Sequence, residues 1–514
     1  MQKRAISKEA EVKHLRDSLL DLEEKTSQLD ISESRRKELW EGVSRFTSGA
    51  LERIRRGEVA VYNDSSAEDG NNNSECRGIR SSPIQEEPSD LDRILDLYGA
   101  HVECSGLRAA HGGFMSYVPS NGVFPAALGD FLADTFCTYA GKTSESPGGV
   151  ALNNMLLEWT ADVFGYPKGF QGNLTSGGSA ATIIAMATAR DSRKGLRARD
   201  FHRVVVYVSE LTHHCTKKAL HTIGLGEAVV RDIQVDSRWK MDVRALEATV
   251  ANDRQNGLIP FAVVATVGTT DVGSADPVDA IADVAERHGL WLHVDAAYGG
   301  FFALCEEARA LFRGVERSDS IIVDPHKGLN LPYGSGVVLV RDGRKLHLSN
   351  TAHKQGSYLT NPLHPGSDDT ELSPCDLSFE LSTHFRGPRM WFPLKLFGVQ
   401  TFRLMLKEKL RLAAYFYRII KDMAGFEVLQ APELSVVAFR YTDVPRGMDV
   451  NDFNKRLLEE VVRDGRVYIS STTLKETFYL RICVLGFRTH VENIELCLEV
   501  LQKSLLKLKD GLEP

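Results

Sequence analysis

No apolar run in the chain reaches the roughly 20 residues that a membrane helix needs, so a membrane-spanning role is not expected. Basic residues are not in excess. The 62 Lys and Arg against 69 Asp and Glu give a formal net charge of −7, which argues against a nucleic-acid partner. The eight cysteines contain no CxxC pair. That removes the zinc-site signal, leaves no metal site expected, and suits reduced thiols in a cytoplasmic protein. The opening MQKRAISKEAEVKHL lacks the apolar core of a secretory leader, and its acids speak against a mitochondrial transit peptide. Without a secretory route the sequons at Asn63, Asn72 and Asn173 carry no meaning. What is present is ordinary for a globular protein: 43% hydrophobic and 25% charged residues over 514 positions. That length suits a large domain with smaller appendages.

The most informative stretch is Ser318–Gly336, SDSIIVDPHKGLNLPYGSG. An apolar run, Ile321–Val323, ends in Asp324-Pro325-His326-Lys327, and glycines and a proline follow. The pattern predicts a buried strand running into an irregular loop, with a lysine where the strand stops. Ligands of open α/β sheets bind just beyond the carboxyl ends of strands, and a lysine in such a dry place is expected to lose its proton and become a nucleophile. Upstream, LWLHVDAAYGG (Leu290–Gly300) is a second apolar strand with an acid, Asp295, at its end. Two strand ends, one acidic and one basic, suggest a single site between them.

The second signal is QGNLTSGGSAATIIAMATAR, Gln171–Arg190. Small residues, Thr175-Ser176-Gly177-Gly178-Ser179, open straight into a helix of good formers, a turn that exposes free backbone N–H groups. Such a helix start is an anion site, most often for phosphate, or a plain serine N-cap. The glycines are followed by neither Gly-Lys-Ser/Thr nor a GxGxxG spacing.

In chain order, residues 1–62 read as a helical segment and 63–90 as a disordered polar linker. Residues 91–392 form the large domain, and 393–514 a linking helix and a small α+β domain. Within the large domain, helices are expected over Ala127–Tyr139, Val150–Phe164 and Val278–His288. Strands are expected over Val204–Ser209, Phe261–Thr270 and Gly336–Arg341. This alternation implies a mostly parallel sheet covered by helices. His213 or its neighbour His214, Thr270, Asp295 and Lys327 all fall at or just past strand ends, so all could face one crevice. Residues 343–385 are weakly patterned and read as a lid or a disordered loop. A helix over Pro393–Gly425 and strands over Val436–Thr442, Arg466–Ser470 and Thr477–Val484 are expected beyond it.

An anion loop, a histidine, an acid and a lysine on a parallel sheet resemble the pyridoxal-phosphate enzymes of the aspartate-aminotransferase type, fold type I. HVDAAYGG, DPHKG and HFRGPRMWFPLKLFG (His384–Gly398) narrow the resemblance to the group II amino-acid decarboxylases, which include the aromatic-amino-acid, tyrosine and glutamate decarboxylases. The likeness spans about Arg36 to Leu508. It implies a pyridoxal 5'-phosphate-dependent carboxy-lyase that converts an L-amino acid to its amine and CO2, working as a homodimer. Lys327 would form a Schiff base with the cofactor, Asp295 would keep the pyridine nitrogen protonated, and His213 would stack on the ring. Gly177, Gly178 and Ser179 would hold the phosphate, while Thr270, Ala297, Asp324 and His326 match positions around the cofactor. Tyr117 and Phe114 lie in the segment that walls the substrate pocket. Arg481 matches the arginine that holds a substrate carboxylate in glutamate-type members, or is a strand-end arginine facing solvent.

Two departures from the family stand out. Gly328 replaces the tryptophan that usually follows the lysine. Between Lys354 and His384 the only tyrosine is Tyr358, which is too early to be the loop tyrosine that many members use to reprotonate the substrate carbon. The missing tyrosine leaves two alternatives open, a decarboxylation-dependent aldehyde synthase and a catalytically silent dimeric scaffold.

Overall fold

The computed structural model describes residues 2–57, 59–61, 77–351 and 372–510. The chain divides into two compact units, Met1–Gly57 with Val61–Leu107, and Glu58–Ala60 with Arg108–Pro514. In the first unit, α1 (Gln2–Thr26) and α2 (Glu33–Arg56) follow the charged, proline-free pattern of the N-terminus. Ser32 caps α2 by accepting from the Arg35 N–H. Arg53 near the end of α2 pairs with Glu103 at 2.8 Å. Of the segment expected to be a linker, residues 63–76 lie outside the described residues, Arg77–Arg80 forms one helical turn, and α3 (Leu91–Tyr98) follows.

The second unit is built on a seven-stranded sheet. In chain order it comprises α4 (Phe124–Thr135), α5 (Pro147–Phe164), β1 (Gln171–Thr175), α6 (Gly178–Ser192), β2 (Val204–Ser209), α7 (Cys215–Thr222), β3 (Val229–Ile233), α8 (Val243–Gln255) and β4 (Ile259–Thr266). Then come α9 (Val278–His288), β5 (Trp291–Asp295), β6 (Ser320–Val323) and β7 (Gly336–Val340). The strand order is β1-β7-β6-β5-β4-β2-β3, and β7 runs antiparallel to both of its neighbours. The remaining pairs are parallel, as the alternating pattern predicted.

Strands β2, β4, β5, β6 and β7 are almost wholly buried, which is why they read as near-continuous apolar runs. Leu292 and Val294 pack into one core, and Trp291, with Val264 and Ile322, packs with Ile184 and Ala185 of α6 into another. Each fully buried aliphatic side chain contributes about 1.5–3 kcal/mol, so the sheet is the rigid platform of the unit.

Several boundaries differ from the sequence reading. The strand expected over Phe261–Thr270 stops at Thr266, because Gly268 turns the chain with φ 94° and Gly268 and Thr269 donate to the Ser274 carbonyl. Thr270 therefore sits on a turn past the strand. The weakly patterned 343–385 stretch begins with a helix, α10 (Gly343–Asn350), capped by Asp342 accepting from the Arg344 N–H. Its centre, 352–371, lies outside the described residues.

Helix α11 (Gly387–Asp422) starts six residues before the expected Pro393 and kinks at Gly398, φ 72°. The small sheet takes the order β8-β9-β11-β10, all antiparallel, from β8 (Phe426–Val428), β9 (Val436–Tyr441), β10 (Ser470–Leu474) and β11 (Thr477–Cys483). Helices α12 (Val450–Arg463) and α13 (Val491–Asp510) complete this region. The strand expected over Arg466–Ser470 begins only at Ser470. Its position is set by the hairpin turn Lys475-Glu476, where both residues take positive φ, the twist-matched turn of a two-residue loop.

Candidate active site

The C-terminal ends of β4, β5 and β6 and the start of α6 enclose a cavity of about 290 Å³. Strand β6 ends at Val323, Asp324 continues extended, and Pro325 starts a one-turn helix, Pro325–Gly328. Proline at the first helical position costs no hydrogen bond. The Lys327 and Gly328 N–H groups both donate to the Asp324 carbonyl, at 2.9 and 3.3 Å. This turn folds the lysine back over its own cap, with Lys327 Nζ 3.0 Å from Asp324 Oδ2. The lysine thus lies on a helical turn instead of the irregular loop that its glycines suggested. A Cβ at position 328 would lie 2.7 Å from the Phe301 Cβ, which explains why a glycine follows this lysine.

The charge state of Lys327 reverses the sequence expectation. Burial alone would push the amine down. Asp324 and Asp295 outweigh burial, and Lys327 is held above the usual lysine range. Asp295 sits at the end of β5, its Oδ1 accepting from the Ala297 N–H at 3.0 Å. Across the cavity, His213 Nδ1 accepts from the Cys215 N–H at 3.3 Å, so Nε2 carries the proton in the neutral ring. Burial lowers the His213 pKa, with Asp295 opposing, which favours that neutral form. Of the two adjacent histidines, His213 lines the cavity, with the His214 ring 4.1 Å behind it. His326 lies 2.5 Å by Nδ1 from the Ser335 carbonyl, and burial lowers its pKa too. Arg389 of the HFRGPR motif grips Asp130 at 2.7 Å and donates to the Tyr333 carbonyl at 2.9 Å, which fixes the loop that follows Lys327.

The α6 terminus is built by close backbone packing. Gly177 has φ 147° and ψ 177°, a region open essentially to glycine alone. A Cβ on Gly336 would meet the Gly177 Cα at 2.6 Å, and one on Gly178 would meet Asp324 Oδ2 at 3.1 Å. The Ala181 N–H already bonds the Gly177 carbonyl at 3.1 Å. The first-turn N–H groups of Gly178, Ser179 and Ala180 precede any intrahelical partner, and these residues line the cavity.

Every residue that the sequence placed around the cofactor lines this cavity: Gly177, Gly178, Ser179, His213, Thr270, Asp295, Ala297, Asp324, His326 and Lys327. The donor set fits a phosphorylated aldehyde, with helix N–H groups for the phosphate, an amine for the aldehyde and carboxylates for a protonated ring nitrogen. Two atoms of the cavity's lining residues, Asp324 Oδ1 and Thr266 Oγ1, are buried without a hydrogen-bond partner among the described residues, so the cavity's polar capacity exceeds what the chain itself uses. Among the described residues, no cluster of His, Cys, Asp or Glu could hold a metal ion.

Arg481 is 3% exposed, so it does not face solvent. It donates to the Thr270 carbonyl at 2.9 Å, the Tyr117 carbonyl at 2.7 Å and Ser470 Oγ at 3.2 Å. Its Nη2 has no hydrogen-bond partner among the described residues. Arg481 and Tyr117 line a second cavity of about 300 Å³, which shares Thr270 with the first. Tyr117 is 58% exposed with φ 52°. Phe114 is instead buried, stacked on Tyr468 at 5.7 Å, and belongs to the packing beneath the pocket segment.

Tyr298, Cys215 and Thr266 also line the cavity, and the sequence alone does not single them out. Tyr298 stands inside the quoted HVDAAYGG. Its hydroxyl is 2.7 Å from Ser435 Oγ and accepts from the Ser435 N–H at 3.0 Å, and burial raises its pKa well above the usual range. Cys215 is a buried thiol pushed up to about 12, inert as a nucleophile. Thr266 gives no signal in the sequence, where it reads as one more residue inside a strand that in fact ends at it.

The pyridoxal-dependent decarboxylase conserved domain matches residues 77–442. An aromatic-L-amino-acid decarboxylase from Bacillus atrophaeus is 30% identical over 420 residues, covering 81% of this chain and 86% of that protein. A phenylacetaldehyde synthase from Arabidopsis thaliana is 28% identical over 411 residues, covering 78% and 83%. The crystal structure of Oryza sativa TDC with PLP and tryptamine superposes with a TM-score of 0.85 at 25% identity, covering 93% of this chain and 99% of that one.

Proposed function

This chain belongs to the pyridoxal-dependent decarboxylase family, and from that premise we propose that it removes the α-carboxylate of an L-amino acid as CO2 and releases the amine. Its cofactor is pyridoxal phosphate. When bound, the cofactor supplies an electron sink for the pair left by CO2. Lys327 would hold the cofactor's aldehyde, with Asp324 at 3.0 Å to orient the amine. Asp295 would keep a proton on the ring nitrogen, and His213 would cover the ring. The first-turn N–H groups of α6 and the Ser179 hydroxyl would bind the phosphate, while Thr270, Ala297 and His326 complete the wall. Arg481, with its unpartnered Nη2, would take the substrate carboxylate beside Tyr117.

The observation that carries the reading is the convergence of Lys327, Asp324, Asp295 and His213 on one cavity beside a helix N-terminus. A homodimer is part of the proposal, with the exposed apolar side chains along α4 and α11 as its contact. Among the described residues no helix is long and apolar enough to cross a membrane. The described cysteines are free thiols, which supports placement in the cytoplasm.

A second reading is favoured by the likeness to a phenylacetaldehyde synthase and by the lack of a tyrosine between Tyr358 and His384. In that reading, loss of CO2 is coupled to reduction of O2. Amino acid, O2 and water then give aldehyde, CO2, ammonia and hydrogen peroxide. The test is a panel of L-amino acids with the loaded enzyme, products identified by mass spectrometry and peroxide assayed. Amine with CO2 supports decarboxylation. Peroxide and ammonia with CO2 support the synthase. No CO2 from any amino acid refutes both and leaves a silent scaffold.

A further inference from the structure

His293 is completely buried in the centre of β5 and has no role in the site described above. Alternate residues of a strand share a face, so Trp291, His293 and Asp295 lie on one face. Thr266 is paired in register with Asp295 and shares that face. The His293 Nδ1 is 2.8 Å from Ser320 Oγ, and the same oxygen accepts from the Trp291 indole N–H at 2.8 Å. Indole can only donate, and His293 Nδ1 is the one acceptor within reach of the Ser320 hydroxyl among its described partners, so we assign the hydroxyl proton to that bond. The ring is then fixed with its proton on Nε2.

That Nε2 is buried and makes no hydrogen bond among the described residues, and Thr266 Oγ1 is in the same condition. Asp295 is the charged group acting on the ring, and burial pushes the His293 pKa to about 4. The ring is therefore a neutral, oriented donor. Alternate side chains of one strand stand about 6.7 Å apart, beyond direct hydrogen-bond reach, so a link between them needs a bridging water. Buried waters gather where otherwise unsatisfied polar groups converge.

We propose that His293 is a positioning residue for Asp295, acting through one ordered water shared with the Thr266 hydroxyl. The Nε2–H orients that water so that it donates to the Asp295 carboxylate. Asp295 then receives a hydrogen bond from below as well as from the Ala297 N–H, and stays fixed at the cavity floor. The inference rests on the cofactor reading of the cavity.

The test compares the parent with His293→Leu, which removes the donor, and His293→Gln, which keeps one. Each protein is stripped of cofactor and titrated with pyridoxal phosphate across pH, following tryptophan fluorescence and the visible band. Melting of the stripped proteins is recorded alongside. We expect His293→Leu to weaken cofactor binding about tenfold, the scale of one hydrogen bond to a charged group, and to shift the pH profile of the band. His293→Gln should recover most of both. Unchanged affinity and profile in His293→Leu would overturn the proposal. Equal losses in both variants that track lower melting would also overturn it, because they mean packing alone. If His293→Leu does not fold, Ser320→Ala, which frees the tautomer but keeps the ring, takes its place: a parent-like profile refutes the proposal and a shifted one upholds it. A parent that fails to bind pyridoxal phosphate at all refutes the cofactor reading itself, a result separate from the others.

Discussion

Lys327 Nζ lies 3.0 Å from Asp324 Oδ2, on a single turn in which Asp324 is also the backbone cap. One residue thus sets both the position and the charge of the amine. Burial and the carboxylates act on Lys327 in opposite directions, and the carboxylates win. Replacing Asp324 with Asn removes the nearer of them. We expect the pH midpoint for labelling Lys327 with an amine-reactive aldehyde and borohydride, read by mass spectrometry, to move down. An unmoved midpoint would assign the raised amine to Asp295 alone.

Arg481→Lys replaces a fork that serves the Thr270 and Tyr117 carbonyls together with a single ammonium. At least one buried carbonyl loses its donor, at about 1–3 kcal/mol. Chemical denaturation should show that loss of stability. Steady-state kinetics should show a rise in KM that added guanidinium partly reverses. A parent-like KM would remove Arg481 from the substrate site.

Asp276 accepts from the Met241 and Thr266 N–H groups at 2.8 Å each, and burial raises its pKa from 3.8 to about 6. The folded protein therefore holds this proton more tightly than the unfolded chain. The contribution to stability is full below about pH 4 and is lost as pH rises through about 6, a swing on the order of 3 kcal/mol. Denaturation of the parent and of Asp276→Asn between pH 4 and 8 should show the difference moving in favour of Asn as pH rises. A constant difference would mean that Asp276 does not titrate in this range.

Leu396, Phe397 and Leu404 on α11 are exposed, as are Leu132 on α4 and Phe136 just past it, and the two helices pack against each other. An apolar surface of this kind marks an interface, and a second copy of the chain is the partner we expect. The double variant Phe397→Asp with Leu404→Asp should elute as a monomer by light scattering and lose turnover. A parent that is itself a fully active monomer would rule the dimer out.

Much of this site was legible in the chain of residues alone. Strand ends show as apolar runs stopping at a charge, and Asp295 and Lys327 stand at two such stops. Gly177 and Gly178 mark the helix start because only glycine tolerates that backbone and that closeness. These are local facts, set by a few neighbours in the chain. The ionisation of Lys327 was not legible, because it is a balance between desolvation and two carboxylates, one of them contributed by another strand. Arg481 could be read as solvent-facing or substrate-facing until the turn at Gly268 placed the Thr270 carbonyl against its guanidinium. The donor edge of His293 follows from Ser320 and Trp291 meeting across two strands. Residue type and backbone preference are properties of the sequence by itself. Charge state, tautomer and the direction of a buried side chain depend on through-space distances between residues far apart in the chain, and only the tertiary structure decides those.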